Sequence, residues 1–307
     1  MTLTELRYVI ALARERHFGR AADKCSVSQP TLSVAIKKLE DELGVILFER
    51  AANEVRVTGT GLAVAEQAER VLSEASRVTE IASAGKDPLS GLLRLGCIYT
   101  IAPYLLPKLV PLLKQAAPAM PLIIEENFSA NLVDKIKAGE LDIGIMALPV
   151  DEPGLVAQAV YDEEFRLLCP ADNPLAKQKV VKSSALLETQ LLLLGPGNCF
   201  RDQVLDLCSP TSRQTGTSLH ILEGGSLETI RLMVASGIGV TVMPASAVDS
   251  ISAKDPLLRV LPFADPQPVR RVALVWRATY PRYRAIDVVR KALLNCRLPG
   301  TRTVKSK

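Results

Sequence analysis

The 307-residue sequence contains only two histidines and no apolar run that approaches membrane-spanning length. Leu191–Leu194 is short, and Tyr104–Leu113 is broken by Pro107, Lys108 and Pro111. Two histidines are too few for a His-rich metal site, and the six cysteines match no metal-ligand spacing, so neither a metal nor another cofactor is expected. The N-terminal residues Met1 to Arg7 lack the basic segment and apolar core of a secretory signal. A cytoplasmic protein with reduced thiols and no membrane partner is therefore expected.

Charge is no better guide to partners. The net +4 is concentrated at the end: Arg282 to Lys307 holds eight basic residues and only Asp287 as acid, leaving the remainder at −3. Any contact with nucleic acid must be argued from local placement. The length and the 48% apolar content suit two or three domains, each with its own core.

Residues 3–43 read as three short helices. Leu6, Val9, Ile10 and Ala13 share a face of the first, and Phe18, Ala21, Ala22 and Cys25 share one of the second. The third begins at Ser28, a good N-cap, with Pro30 in the first turn, where its missing N–H costs nothing. Leu32, Ile36, Leu39 and Leu43 point inward from it. Gln29, Thr31, Ser33, Val34, Lys37 and Lys38 are left outward. Polar donors in the first turn with lysines beyond suit base edges and phosphates respectively. The acids Glu40, Asp41 and Glu42 should turn the other end of the helix away from DNA. Residues 47–50 and 54–58 read as a hairpin or wing that would bring Arg50 near the DNA backbone or minor groove.

These residues carry a family resemblance. The run from Phe18 to Ala22, Ser28 to Ser33, Leu39 to Gly44 and Leu47 to Arg50 resembles the LysR-type transcriptional regulators. The resemblance implies a winged helix-turn-helix over residues 1–58, with Ser28, Gln29, Pro30, Thr31, Ser33, Lys37, Lys38 and Arg50 at double-stranded promoter DNA. It also implies RNA polymerase as a partner and no enzymatic activity.

Residues 59–85 read as a long linker helix. Val64, Ala68, Val71, Ala75 and Val78 alternate spacings of four and three, which suits a dimer seam; a helix lying on its own domain is the alternative. A hinge follows at 86–91. From 92 to 300 strands and helices alternate, which predicts an α/β unit with a parallel sheet. Its two lobes, about 92–163 with 268–300 and about 164–267, resemble the periplasmic-binding-protein-like sensor domain of the same family. A basic tail, 301–307, reads as a solvated end.

Cys199 and Cys208 bracket an amphipathic segment behind the turn at Gly195, Pro196 and Gly197, with Asn198 as its expected N-cap. A helix N-terminus stabilises an anion, and Arg201 adds a cation nearby. Nine residues of helix separate the two Cα atoms by roughly 13–14 Å, whereas a disulfide needs about 4.4–6.8 Å. Either the two are packing residues, or they are a pair that can bond only if the helix unwinds. The other four, Cys25, Cys97, Cys169 and Cys296, sit in apolar periodic contexts that favour packing.

Residues 197–204 with Cys208 resemble the peroxide-sensing members of the family. That resemblance implies hydrogen peroxide as signal, Cys199 as the peroxidatic and Cys208 as the resolving cysteine, with Thr100, Ser129, Asn198 and Arg201 as supporting groups. It implies control of oxidative-stress genes by a dimer of dimers. Asn198 stands where that pattern often has His, and Ser129 where Thr is usual. Two alternatives remain: a regulator that binds a small organic effector between the lobes, and a thiol peroxidase using Cys199.

Overall fold

A computed structural model of the chain describes residues 1–50, 55–84, 89–215, 221–249 and 255–304. It divides into two compact units, Met1–Lys86 with Ala138–Glu140, and Asp87–Lys137 with Leu141–Lys307. Among the described residues no helix is long and apolar enough to cross a membrane.

In the first unit, local capping sets each helix start. Helix α1 (Leu3–Glu15) opens with a capping box in which Thr2 and Glu5 each accept from the other's backbone N–H. Helix α2 (Phe18–Lys24) is capped by His17, whose Nδ1 accepts from Arg20 N. Helix α3 (Gln29–Leu43) starts on Ser28, whose Oγ accepts from Thr31 N, and ends at Gly44 in the left-handed region. Leu32, Ile36 and Leu39 enter a core with Val9, Leu12, Ala21 and Phe48. Leu43, expected inside, is 39% exposed, because the helix ends there and the core lies behind it.

The wing is β1 (Phe48–Arg50) paired antiparallel with β2 (Val55–Val57). Glu40 accepts from Leu47 N and Phe48 N at 2.7 and 3.0 Å, so this acid pins the wing to α3 as well as charging its end. The long helix α4 (Gly59–Ala84) follows. A Cβ at Gly61 would come within 2.2 Å of Leu47 O, so the first turn of α4 can cross the wing only with glycine there.

The seam read along α4 is corrected at its start. Val64 packs on the core of its own unit and Ala68 is buried there, because α1 lies against α4 and Arg14 pairs with Glu69 at 2.6 Å. Val71 and Ala75 are half-buried and Val78 is exposed. Of the hinge, residues 86–88 lie outside the described residues. Its exit is held by Arg282, which donates to Ser90 O, Gly91 O and Leu92 O.

The second unit contains two lobes. Its first part runs β3 (Leu93–Ile98), α5 (Ala102–Ala116), β4 (Leu122–Asn127), α6 (Ser129–Ala138), β5 (Ile143–Ala147) and β6 (Leu155–Pro170). The middle runs β7 (Leu191–Leu194), α7 (Cys199–Thr215), β8 (Ile221–Gly224), α8 (Leu227–Ala235), β9 (Thr241–Pro244), α9 (Ala245–Val248) and β10 (Leu258–Pro262). Strand β11 (Val269–Arg277), helix α10 (Tyr283–Asn295) and β12 (Thr301–Thr303) close it. In α5, Pro103, Pro107 and Pro111 recur every fourth residue on the exposed side, where carbonyls left without an N–H partner meet solvent.

The sheet order is β10-β6-β11-β5-β3-β4, with β9 and β12 also on β6. Strand β3 pairs parallel with β4 and with β5, as does β7 with β8 in a separate pair, whereas β6 and β11 run antiparallel to their neighbours. The expectation of a parallel sheet is thus corrected to a mixed one. Strand β6 belongs to both lobes: its first half pairs with β11 and its second with β9 and β10. One core gathers Leu95, Leu105, Ile143 and Val275, the other Phe165, Leu192, Val204 and Val242.

The tail also differs from expectation. Residues 301–303 form β12 against Tyr161, Asp162 and Glu163 of β6, and Arg302 meets Glu164 at 2.8 Å. A strand forms because β11 occupies one side of β6 there and β12 pairs along the other. The last three residues lie outside the described residues. The fold is a winged helix-turn-helix with a long linker helix, followed by a two-lobed α/β sensor domain of the periplasmic-binding-protein type.

Candidate functional site

Cys199 is the first residue of α7, and Cys208 lies on the same helix. Both are free thiols. Their surroundings differ. Cys199 is half-buried and packs against the first core, whereas Cys208 is buried within the second, where desolvation pushes its thiol up from the ordinary value. The helix therefore carries one sulfur at the lobe junction and another inside a lobe. Phe200, between them in sequence, anchors α7 in the second core and meets Phe165 edge-on at 5.2 Å.

A cavity of about 10 Å³ ends on Cys199, room for about one water-sized molecule. Its walls are residues 98–100, 127–129 and 197–199. The first two segments follow the carboxyl ends of the parallel strands β3 and β4, the usual ligand position in α/β sheets. Helices α5, α6 and α7 begin beside these segments, so helix N-termini converge on a setting that suits an anion.

Ser129 Oγ donates to Cys199 Sγ at 3.4 Å. Ser129 is the first residue of α6. Thr100 is buried, its Oγ1 accepting from Arg270 Nη1 at 2.9 Å. A guanidinium can only donate, so the Thr100 hydroxyl keeps its own proton to offer elsewhere. Asn198 uses its side-chain amide to close the preceding turn, donating to Gly195 O at 3.0 Å. Gly197 in that turn has φ of +90°, which favours glycine.

Arg201 lies in the first turn of α7. Its guanidinium donates to Leu194 O at 2.7 Å and pairs with Glu223 at 2.8 Å, tethering the first turn of α7 to β7 and β8. It acts as a tether for the helix that carries both thiols, because the nearest acceptors are on the strands beneath.

Sequence reasoning missed Arg270 and Glu163. Both are fully buried and paired at 2.7 Å. Arg270 also donates to Thr100 O at 3.0 Å, and its guanidinium carbon stands 5.3 Å from the Phe200 ring centroid. Glu163 accepts from Ser246 N at 3.0 Å. One ion pair thus links β6 and β11 to the cavity wall, to α7 and to α9. The available signal was phase: Arg270 alternates with buried Val272 along β11.

A wider cleft of about 360 Å³ adjoins, bordered by Tyr99, Thr100, Pro103, Glu126, Phe128, Leu194, Asn198 and residues 225–227.

In the first unit, Gln29, Pro30, Thr31, Lys37 and Lys38 are exposed and Ser33 is half-buried. Lys38 lies 3.5 Å from Glu5, so it is partly neutralised. Ser28 serves as cap, with its hydroxyl 2.8 Å from Thr31 Oγ1. The side chain of Arg50 lies outside the described residues.

Comparison with known proteins agrees with this architecture. Residues 3–62 match the bacterial regulatory helix-turn-helix protein of the lysR family, and residues 86–295 match the LysR substrate binding domain. A "Hydrogen peroxide-inducible genes activator" of Dickeya chrysanthemi is 40% identical over 295 residues, covering 95% of each chain. Full-length OxyR from Pseudomonas aeruginosa, solved as a variant, is 49% identical with a TM-score of 0.76, over 100% of this chain and 99% of that one. A hydrogen peroxide-bound mutant of OxyR from Corynebacterium glutamicum is 33% identical with a TM-score of 0.64, over 96% and 92% of the two chains. With both of its units matched and relatives this similar along nearly the whole length, the chain belongs to the LysR family of bacterial helix-turn-helix regulators.

Proposed function

We propose that the protein is a transcriptional regulator switched by hydrogen peroxide through Cys199 and Cys208. The observation that carries this is the sulfur of Cys199 at the end of a one-molecule cavity, hydrogen-bonded by Ser129, on the helix that also carries Cys208. The names of the relatives point the same way.

In the first step the Cys199 thiolate attacks one oxygen of hydrogen peroxide. The O–O bond breaks, hydroxide leaves and takes up a proton as water, and sulfur becomes a sulfenic acid. The Thr100 hydroxyl is a hydrogen-bond donor for the leaving oxygen, while the Ser129 hydroxyl donates to the attacking sulfur. Cys208 then attacks the sulfenic sulfur, and the expelled hydroxyl departs as a second water with the Cys208 proton. Nine residues of intact helix hold the Cα atoms about 13–14 Å apart, so closure requires α7 to unwind and Cys208 to leave its core. The energetic consequence is local refolding, because Phe200 and Val204 lie between the two thiols in the same core.

The readout is DNA. Ser28, Gln29, Pro30, Thr31, Ser33, Lys37, Lys38 and Arg50 face a promoter, two copies associate along α4 at Val71, Ala75 and Val78, and a dimer of dimers presents the sites to RNA polymerase. Peptide mapping under non-reducing conditions after stoichiometric peroxide tests the switch. A linked 199–208 peptide with an altered DNA footprint is expected; its absence, with footprint unchanged, rejects the model.

The 360 Å³ cleft favours a second reading, a small organic effector bound between the lobes. Under that reading Cys199→Ser leaves the response intact.

A further inference from the structure

The small cavity at Cys199 and the wide interlobe cleft share four bordering residues: Tyr99, Thr100, Phe128 and Asn198. These residues stand between the two spaces. Two of them are aromatic and touch. The Tyr99 and Phe128 rings lie 5.3 Å apart at 76°, edge to face. Tyr99 is 45% exposed, so it fronts the cleft, while Phe128 is half-buried behind it. A Cβ placed on Gly197 would meet the Phe128 ring at 3.8 Å, so that ring lies over the turn that delivers Cys199.

We propose that the Tyr99–Phe128 pair is a size gate, admitting hydrogen peroxide to Cys199 and excluding hydroperoxides with a bulky organic substituent. The proposal rests on the peroxide reading given above. Chemistry alone does not separate the two oxidants. With an organic hydroperoxide the thiolate attacks the terminal oxygen, the O–O bond breaks, and the alkoxide leaves to be protonated as an alcohol; the sulfenic acid formed is the same. Space does separate them. About 10 Å³ holds one water-sized molecule, so the organic group must trail toward the 360 Å³ cleft. Its way is filled by the two rings.

The test measures the loss of the Cys199 thiol in the reduced full-length protein, with hydrogen peroxide and with cumene hydroperoxide. Wild type, Phe128→Ala and Tyr99→Ala are compared. Tyr99 is partly exposed, so its truncation leaves no sealed void, and circular dichroism verifies the fold of both variants. Wild type is expected to favour hydrogen peroxide, and either truncation to lower the rate ratio by about tenfold or more as the bulky oxidant gains access. Equal rates for the two oxidants in wild type, or a ratio unchanged in both variants, overturns the gate while leaving the peroxide reading intact. Reaction of Cys199 with neither oxidant in any of the three proteins overturns both.

Discussion

The guanidinium of Arg270 donates to both the hydroxyl and the carbonyl oxygen of Thr100, at 2.9 and 3.0 Å. The two residues are 170 positions apart, and their contact joins strand β11 to the wall of the Cys199 cavity. The same guanidinium is paired with buried Glu163. Removing it strands a carboxylate in the interior. Arg270→Met is expected to lower the unfolding free energy by about 3–5 kcal/mol, read by urea denaturation, and Arg270→Met with Glu163→Leu to recover much of that loss. A single variant as stable as wild type would show that the pair is not buried in solution.

The six thiols should differ in access. Cys199 and Cys25 are partly exposed, whereas Cys97, Cys169, Cys208 and Cys296 are buried. Native alkylation followed by mass spectrometry should therefore label Cys199 and Cys25 first and the other four only with unfolding. Early labelling of Cys208 would mean that α7 opens readily before any oxidation.

Burial also predicts a pH dependence. Desolvation pushes Cys169 and Cys296 up to about 11, and raises Cys97 and Cys208 as well. In the unfolded chain these thiols ionise near the ordinary value, so above it the unfolded state binds fewer protons than the folded one. The contribution of Cys169 and Cys296 to stability is complete below about pH 8.5 and is lost as pH rises through about 11. Urea midpoints of the reduced protein should fall across that window, and Cys296→Ala should flatten the slope. A midpoint that rises there would contradict the assignment.

At the helix-turn-helix, the cap and the lysines should separate by assay. Ser28→Ala removes the bond accepted from Thr31 N and should cost about 1 kcal/mol of stability in that unit. Lys37→Ala should weaken binding to every DNA sequence alike and reduce the salt slope by about one. Filter binding across salt concentrations measures the second effect; an unchanged slope would remove Lys37 from the phosphate contacts.

Ending the chain after Gly300 deletes β12 and its pairing with β6. The expected result is a loss of about 1–2 kcal/mol from the sensor domain, with the salt dependence of DNA binding unaltered. A changed salt slope with stability intact would instead assign the basic end to DNA.

The features that sequence alone determined are those set within a few residues. Ser28 before Pro30, with Leu32, Ile36 and Leu39 at helical spacing, defines α3 by its own cap and its own buried face. The placement of Cys199 and Cys208 on one helix is of the same kind, following from the turn at Gly195 to Gly197 and the periodicity behind it. Such signals are legible because capping and amphipathicity act between near neighbours in the chain.

Only the tertiary structure decided which distant groups meet. Strand phase puts Arg270 on the side of buried Val272, but nothing local names Glu163, Thr100 and Phe200 as the groups it meets there. Arg201 was legible as a cation beside Cys199, but its acceptors are Leu194 O and Glu223, which lie on other strands. Ala68 fitted a seam between chains until α1 covered it, and residues 301–303 read as part of a solvated end until they paired with β6. In each case the partner is brought near by folding over long chain separations, and burial and charge pairing depend on that approach rather than on sequence spacing.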